Sequence, residues 1–225
     1  MRLSLPGGVV SFTFDDFPKS ALSEGGAILE KYQARGTYYA ALGLAGHDGD
    51  MGPLFDDDDL RATRARGHEL ACHTFSHLDC SRVASAAVVA DIAANAAAFA
   101  GLLDGFAPEN FAYPFGALSL STKRAVAHRF QSCRGIAGGI NRGRVDLANL
   151  RGTRIYAHSF DEGALRRLID ENRAAGGWLI FYSHDVAASP SPYGCTPAQL
   201  ETIVAYAAEK CRVLPVRDVA GQIGG

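Results

Sequence analysis

A chain of 225 residues, 48% hydrophobic and 20% charged, is long enough to bury a sizeable core and is expected to fold as one domain. Its formal net charge of −2 argues for neither nucleic acid nor an anionic membrane as partner. No run reaches the roughly 18 consecutive apolar residues of a membrane-spanning helix.

In chain order, the apolar run Val9-Val10-Ser11-Phe12-Thr13-Phe14 predicts a first strand over 9–14, closed by the adjacent carboxylates Asp15 and Asp16. A helix is predicted near 20–34 and a strand over 37–42, followed by an ordinary long loop that carries His47. Asp56 to Asp59 open the next helix, 57–66, where negative charge complements the helix dipole. The strand 68–72 runs into His73-Thr74-Phe75-Ser76-His77. An alanine-rich helix over 84–103 then stops near Gly105, and a strand over 110–113 leads into Tyr113-Pro114-Phe115-Gly116. A helix over 119–128, strands over 130–133 and 152–157, and a helix over 161–174 come next. The strand 178–183 delivers His184-Asp185 to a proline-rich loop over 189–197 that includes Tyr193. Thr196-Pro197 reads as N-cap and first residue of a helix over 197–209, and a last strand is expected over 211–214.

Such βα alternation implies parallel strands with right-handed crossovers. Seven or eight units in this length predict an irregular (β/α) barrel of the TIM-barrel type. The absence of Gly-x-Gly-x-x-Gly after the first strand weakens a dinucleotide-binding alternative. The polar residues support the barrel, because they follow strand ends, and in βα barrels those ends meet on one active face.

One carboxylate and two imidazoles four residues apart make three ligands for a divalent metal, the count of a catalytic site with open positions. The second carboxylate is then free to act as a base. Alone, Thr-Phe-Asp-Asp is more often a turn or helix cap. A metalloprotease His-Glu-x-x-His is ruled out, since Cys72 stands four residues after His68. Asp56–Asp59 lack the glycine and glutamate of a calcium loop. Five cysteines without a Cys-x-x-Cys pair suggest reduced thiols, with Cys72 on the core side of its strand. No secretory leader is visible, so the expected location is cytoplasmic unless one has been removed.

In their order along the chain, Thr13-Phe14-Asp15-Asp16, Gly67-His68-Glu69 with His73-Thr74-Phe75-Ser76-His77, Tyr113-Pro114-Phe115-Gly116 and Ile180-Phe181-Tyr182-Ser183-His184-Asp185 resemble the polysaccharide deacetylase family. This group includes chitooligosaccharide and peptidoglycan N-acetylglucosamine deacetylases. The resemblance implies a distorted (β/α) barrel and a metal-dependent hydrolase that takes the N-acetyl group from an amino sugar with water as nucleophile. It implies Asp15 as base, Asp16, His73 and His77 as metal ligands, and His184 as general acid. Zinc is the first choice of metal, with Co²⁺, Ni²⁺ or Mn²⁺ as alternatives, and the partner is an N-acetylated saccharide. The Phe115 amide is the matched oxyanion donor, with Tyr113 and Tyr182 as further substrate-facing candidates.

Two departures stand out. The arginine that many relatives carry near the third-motif proline is missing, and Arg151 or Arg154 is the candidate replacement for orienting the base. The family's tryptophan-containing fourth motif is also not evident, as the only tryptophan is Trp178. The alternative readings are a hydrolase of non-sugar amides on the same fold, and a saccharide-binding domain that has lost turnover.

Overall fold

The computed structural model describes residues 1–224. Eight parallel strands carry the fold: β1 (Val9–Phe14), β2 (Thr37–Ala40), β3 (Glu69–Cys72), β4 (Asn110–Ala112), β5 (Ser132–Arg134), β6 (Thr153–Arg154), β7 (Trp178–Ser183) and β8 (Arg212–Val213). Seven lie in the order β6-β7-β1-β2-β3-β4-β5, while β8 pairs with the start of β1. The row curls until its edges meet: Leu150, just ahead of β6, bridges to Arg134 and donates its amide to the Cys133 carbonyl at 2.8 Å. This is the expected irregular (β/α) barrel.

Between the strands lie α1 (Ala27–Lys31), α2 (Asp57–Ala65), α3 (Ser85–Leu102), α4 (Leu120–Val126), α5 (Glu162–Ala175) and α6 (Pro197–Lys210), and α7 (Val216–Gly224) is the last described element. Caps explain several starts. Asp56 with Asp59, and Thr196 with Gln199, form reciprocal capping boxes, while Ser119 and Asp161 each accept one amide of the following turn. A π-type turn, Ala21–Gly26, leads into α1 and packs tightly on the sheet. A β-carbon at Gly25 would sit 2.8 Å from the Phe14 ring, so only glycine allows that approach.

The period of two explains the barrel's two faces. On β1, Val10, Phe12 and Phe14 join the aromatic core under the helices, with Phe17, Tyr38, Phe55 and Phe181. Its alternate residues point into the barrel, where Ser11 receives the Trp178 indole N–H at 2.9 Å and donates to the Leu214 carbonyl at 2.7 Å. The interior is otherwise narrow and small-sided, with Ala71 and Ala112 packed around Tyr39. At the N-terminal end of the strands, the buried Glu69 carboxylate receives Thr37, Asn110 and the Arg217 amide, and the Thr37 hydroxyl oxygen accepts the Val216 amide. These contacts seat the start of α7 against the barrel floor. Helix α7 follows an expected strand and was not anticipated from the sequence.

Helix α3, 18 residues with mean hydropathy 1.5, is long and apolar enough by those measures to cross a membrane. Here its Val88, Ile92, Asn95 and Phe99 are buried, and Asn95 bonds the Leu42 amide and Ala40 carbonyl at 2.9 and 3.0 Å. Such contacts tie it to the barrel wall.

His68, fully buried, accepts the Gly36 amide at Nδ1 and meets Glu30 through Nε2. Burial pushes its pKa down from 6.5 to about 4. A depressed histidine pKa means the unfolded chain binds the proton first, so stability is whole above pH 6.5 and is lost as pH falls toward 4. Urea titrations are expected to show up to about 3 kcal/mol of loss across that window from this group. His68→Asn, whose amide oxygen can still receive Gly36, is expected to reduce the slope.

Candidate metal centre and active site

Each functional side chain ends or follows the inward file of a strand. Asp15 follows β1, His73 follows β3, Arg134 ends β5 and Tyr182 lies near the end of β7. The Asp15 amide donates to the Ser183 carbonyl at 3.0 Å, which continues the β1–β7 ladder to the rim. Asp16 then takes a left-handed conformation, φ 59°, which turns the second carboxylate away from the line of the first. His77, φ 54°, Thr74, φ 61°, and Phe115, φ 59°, are in the same region. Left-handed backbone costs roughly 1–2 kcal/mol for a residue with a β-carbon. These departures cluster at the site, a pattern usual where the surrounding fold overdetermines a functional geometry.

His73 Nδ1 lies 2.8 Å from the Ala112 carbonyl, which can only accept, so Nδ1 carries the proton and Nε2 is bare. Nε2 lies 3.5 Å from Asp16 Oδ1, and His77 Nε2 lies 3.0 Å from the same oxygen. One ligand atom from each of Asp16, His73 and His77 falls within 4.8 Å of the others. Asp16 Oδ1 is buried yet accepts no well-aligned hydrogen bond. Three lone-pair donors facing one point, with an orphaned anionic oxygen among them, fit a divalent cation. Burial would raise the Asp16 carboxyl pKa, but the His77, His73 and His184 imidazoles hold it below the usual carboxylate range. Burial also pushes His73 down to about 4, which favours the neutral imidazole a metal takes.

The ligand loop is pinned from α3. Asp91 accepts the Phe75 and Ser76 amides at 2.7 and 2.9 Å and the Ser76 hydroxyl at 2.9 Å, so His73 and His77 are fixed at both sides of a clamped turn.

Asp15 is held by Arg134, with Arg134 1% and Asp15 5% exposed. The guanidinium lies between two rings, 5.0 Å from the centre of Tyr39 and 4.9 Å from that of Tyr182. Burial would lower the Arg134 pKa, but Asp15 beside it raises it above the ordinary value. The arginine expected at this carboxylate was placed at Arg151 or Arg154, and the structure corrects that. Arg151 instead gives its guanidinium to the Gly138 carbonyl at 2.9 Å, and Arg154 lies over the Tyr156 ring at 5.9 Å. The expected strand 130–133 stops one residue short of Arg134, which is why the sequence does not place this arginine at the rim.

His184 Nε2 stands 3.8 Å from Asp16 Oδ2, and its Nδ1 lies 3.2 Å from the Tyr193 carbonyl. That carbonyl is presented by the loop after β7. Asp185 folds the loop by accepting the Ser191 amide at 2.8 Å and its hydroxyl at 2.5 Å. Gly194 packs on the same carboxylate so closely that a β-carbon would meet Asp185 Oδ1 at 2.3 Å.

Above these groups opens a cavity of about 560 Å³. Phe115, 63% exposed, stands over His77 at 4.5 Å between ring centres, and Tyr182 lines the opposite part of the rim. The Phe115 amide makes no hydrogen bond among the described residues. Tyr113 is corrected: it points out of the barrel, 1% exposed against Phe111, with its hydroxyl on the Ala148 carbonyl at 2.9 Å. Alternation along β4 explains this, since Ala112 takes the inward place. Tyr156, Leu44, Met51 and Ile136 also line the cavity and carried no sequence signal, while His47 does not reach it.

The family model described as polysaccharide deacetylase matches residues 3–131. Among solved structures, the chain is similar to the chitin deacetylase of Colletotrichum lindemuthianum, with TM-score 0.66 and 18% identity, covering 97% of this chain and 89% of that one. It is also similar to a family 4 acetyl xylan esterase from Clostridium thermocellum in complex with a cobalt ion, with TM-score 0.64 and 20% identity, covering 96% and 92%. At such identities the likeness is one of fold. A search of curated proteins found no match.

Proposed function

This chain belongs to the polysaccharide deacetylase family and is a hydrolase of that kind; from that premise we propose that it uses a bound divalent cation to remove the acetyl group from an N-acetylated amino sugar in an oligo- or polysaccharide. The observation that carries the reading is the convergence of Asp16, His73 and His77 on the cavity floor, with Asp15 beside them and engaged by Arg134 instead.

Asp16, His73 and His77 would hold the cation, and two imidazoles with one carboxylate suit zinc, with cobalt, nickel or manganese able to use the same donors. Bound there, it supplies the Lewis acidity that polarises the acetyl carbonyl and lowers the pKa of water. Asp15, held in place by the Arg134 guanidinium behind it, takes the proton of the attacking water. The Phe115 amide donates to the oxygen on which negative charge develops. His184, its Nδ1 proton engaged by Tyr193, delivers a proton from Nε2 to the departing sugar nitrogen as the carbon–nitrogen bond breaks. Acetate and a free amine result. A decayed binding domain is disfavoured by the same geometry, because Arg134 supplies the cation that the third motif lacks.

The test is acetate release from a pentamer of N-acetylglucosamine by the metal-stripped chain, then after return of Zn²⁺, Co²⁺, Ni²⁺ or Mn²⁺ in turn. Release only with a cation is expected. Turnover of a small non-sugar amide but not of the pentamer would replace the saccharide reading. In the same assay Gly194→Ala is expected to cost about tenfold or more in kcat with cation uptake unchanged, since displacing the Tyr193 carbonyl misorients His184.

A further inference from the structure

One cation in the cavity has no part in the chemistry just described. Arg154, the last residue of β6, is exposed and lines the cavity, and its guanidinium makes no hydrogen bond or ion pair among the described residues. It is the only lysine or arginine among the residues that line it. Its neighbours are already engaged, Arg134 by Asp15 and Arg151 by the Gly138 carbonyl. Arg154 stands over Tyr156, whose ring meets Tyr182, His184 and Tyr193 at 5.7, 5.9 and 6.0 Å. The rest of the rim, contributed after β2, β4 and β5, is apolar, with Leu44, Met51, Phe115 and Ile136.

The cavity therefore combines aromatic and aliphatic surfaces for sugar faces with a single uncompensated guanidinium. A guanidinium offers a planar fork of donors that matches a carboxylate and has no equivalent partner on a neutral sugar. We propose that the substrate is an acidic saccharide, carrying a carboxylate on the acetylated sugar or on its neighbour, and that Arg154 pairs with that group. The proposal rests on the deacetylase reading and names its substrate class.

Three probes separate the possibilities: a neutral N-acetylglucosamine tetramer, the same tetramer bearing 3-O-lactyl groups, and a tetrasaccharide alternating N-acetylglucosamine with glucuronic acid. The metal-loaded chain is expected to favour one carboxylated probe over the neutral one by about tenfold in kcat/KM. The preferred probe shows whether the carboxylate lies on the acetylated sugar or beside it. Arg154→Ala is expected to reduce that preference about tenfold, chiefly through KM, with Arg154→Lys recovering part and Arg151→Ala none of the effect. Salt raised to about 0.5 M is expected to erode the preference in the same direction. Equal turnover of all three probes, or a preference that Arg154→Ala does not move, overturns the proposal and leaves the deacetylase reading standing. Acetate from none of them, with cation uptake intact, removes both.

Discussion

Asp15→Asn is expected to lower acetate release by roughly 10²–10⁴-fold while cation uptake stays close to that of the unaltered chain. The two effects separate because Asp15 faces the Arg134 guanidinium and Asp16 faces the imidazoles, although the carboxylates are adjacent in sequence. His77→Ala is expected to lose uptake and turnover together. Calorimetric zinc titration beside the acetate assay checks both. Loss of uptake in Asp15→Asn would exchange the roles of the two carboxylates.

Arg134→Met is expected to destabilise the chain by about 3–5 kcal/mol, since it leaves a buried carboxylate with no counter-charge. In a protein of this size that corresponds to a fall in Tm of roughly 10 °C. Turnover should fall as well, because the Asp15 carboxylate loses the partner that fixes its orientation toward the cavity. Removing both charges, in Arg134→Met with Asp15→Leu, is expected to recover most of the lost stability, as apolar replacements of buried pairs often do. A double variant no more stable than Arg134→Met would show that the arginine acts by packing on Tyr39 and Tyr182, and not through the pair. Differential scanning calorimetry of the two variants beside the unaltered chain decides it.

The barrel was legible because hydrophobic period and strand length agree at Val9–Phe14 and Trp178–Ser183, where six consecutive residues are buried. The ligands were legible because they follow such strands closely in sequence. Arg134 was not, since the strand it ends is only three residues long and an expected boundary one residue early removes it from the rim. Tyr113 misled for the opposite reason. Its motif position is right, but alternation along β4 turns its ring outward and leaves the amide of Phe115, not a tyrosine side chain, at the cavity. The apolar rim had no signal at all, because Leu44, Met51 and Ile136 come from loops whose course depends on packing at a distance. Helix α7 was hidden similarly: its seat is the Glu69 and Thr37 pair, which sequence alone does not connect with residue 216.

Asp16 follows directly on the barrel ladder, the Asp91 clamp holds the turn between Thr74 and His77, and the Ala112 carbonyl orients the His73 ring; none of these contacts involves an ion. The socket is thus cast before anything enters it. A chain of this kind contrasts with zinc fingers, which collapse when their ion is withdrawn. Chelation should disarm this protein without melting it, and reloading should require no refolding.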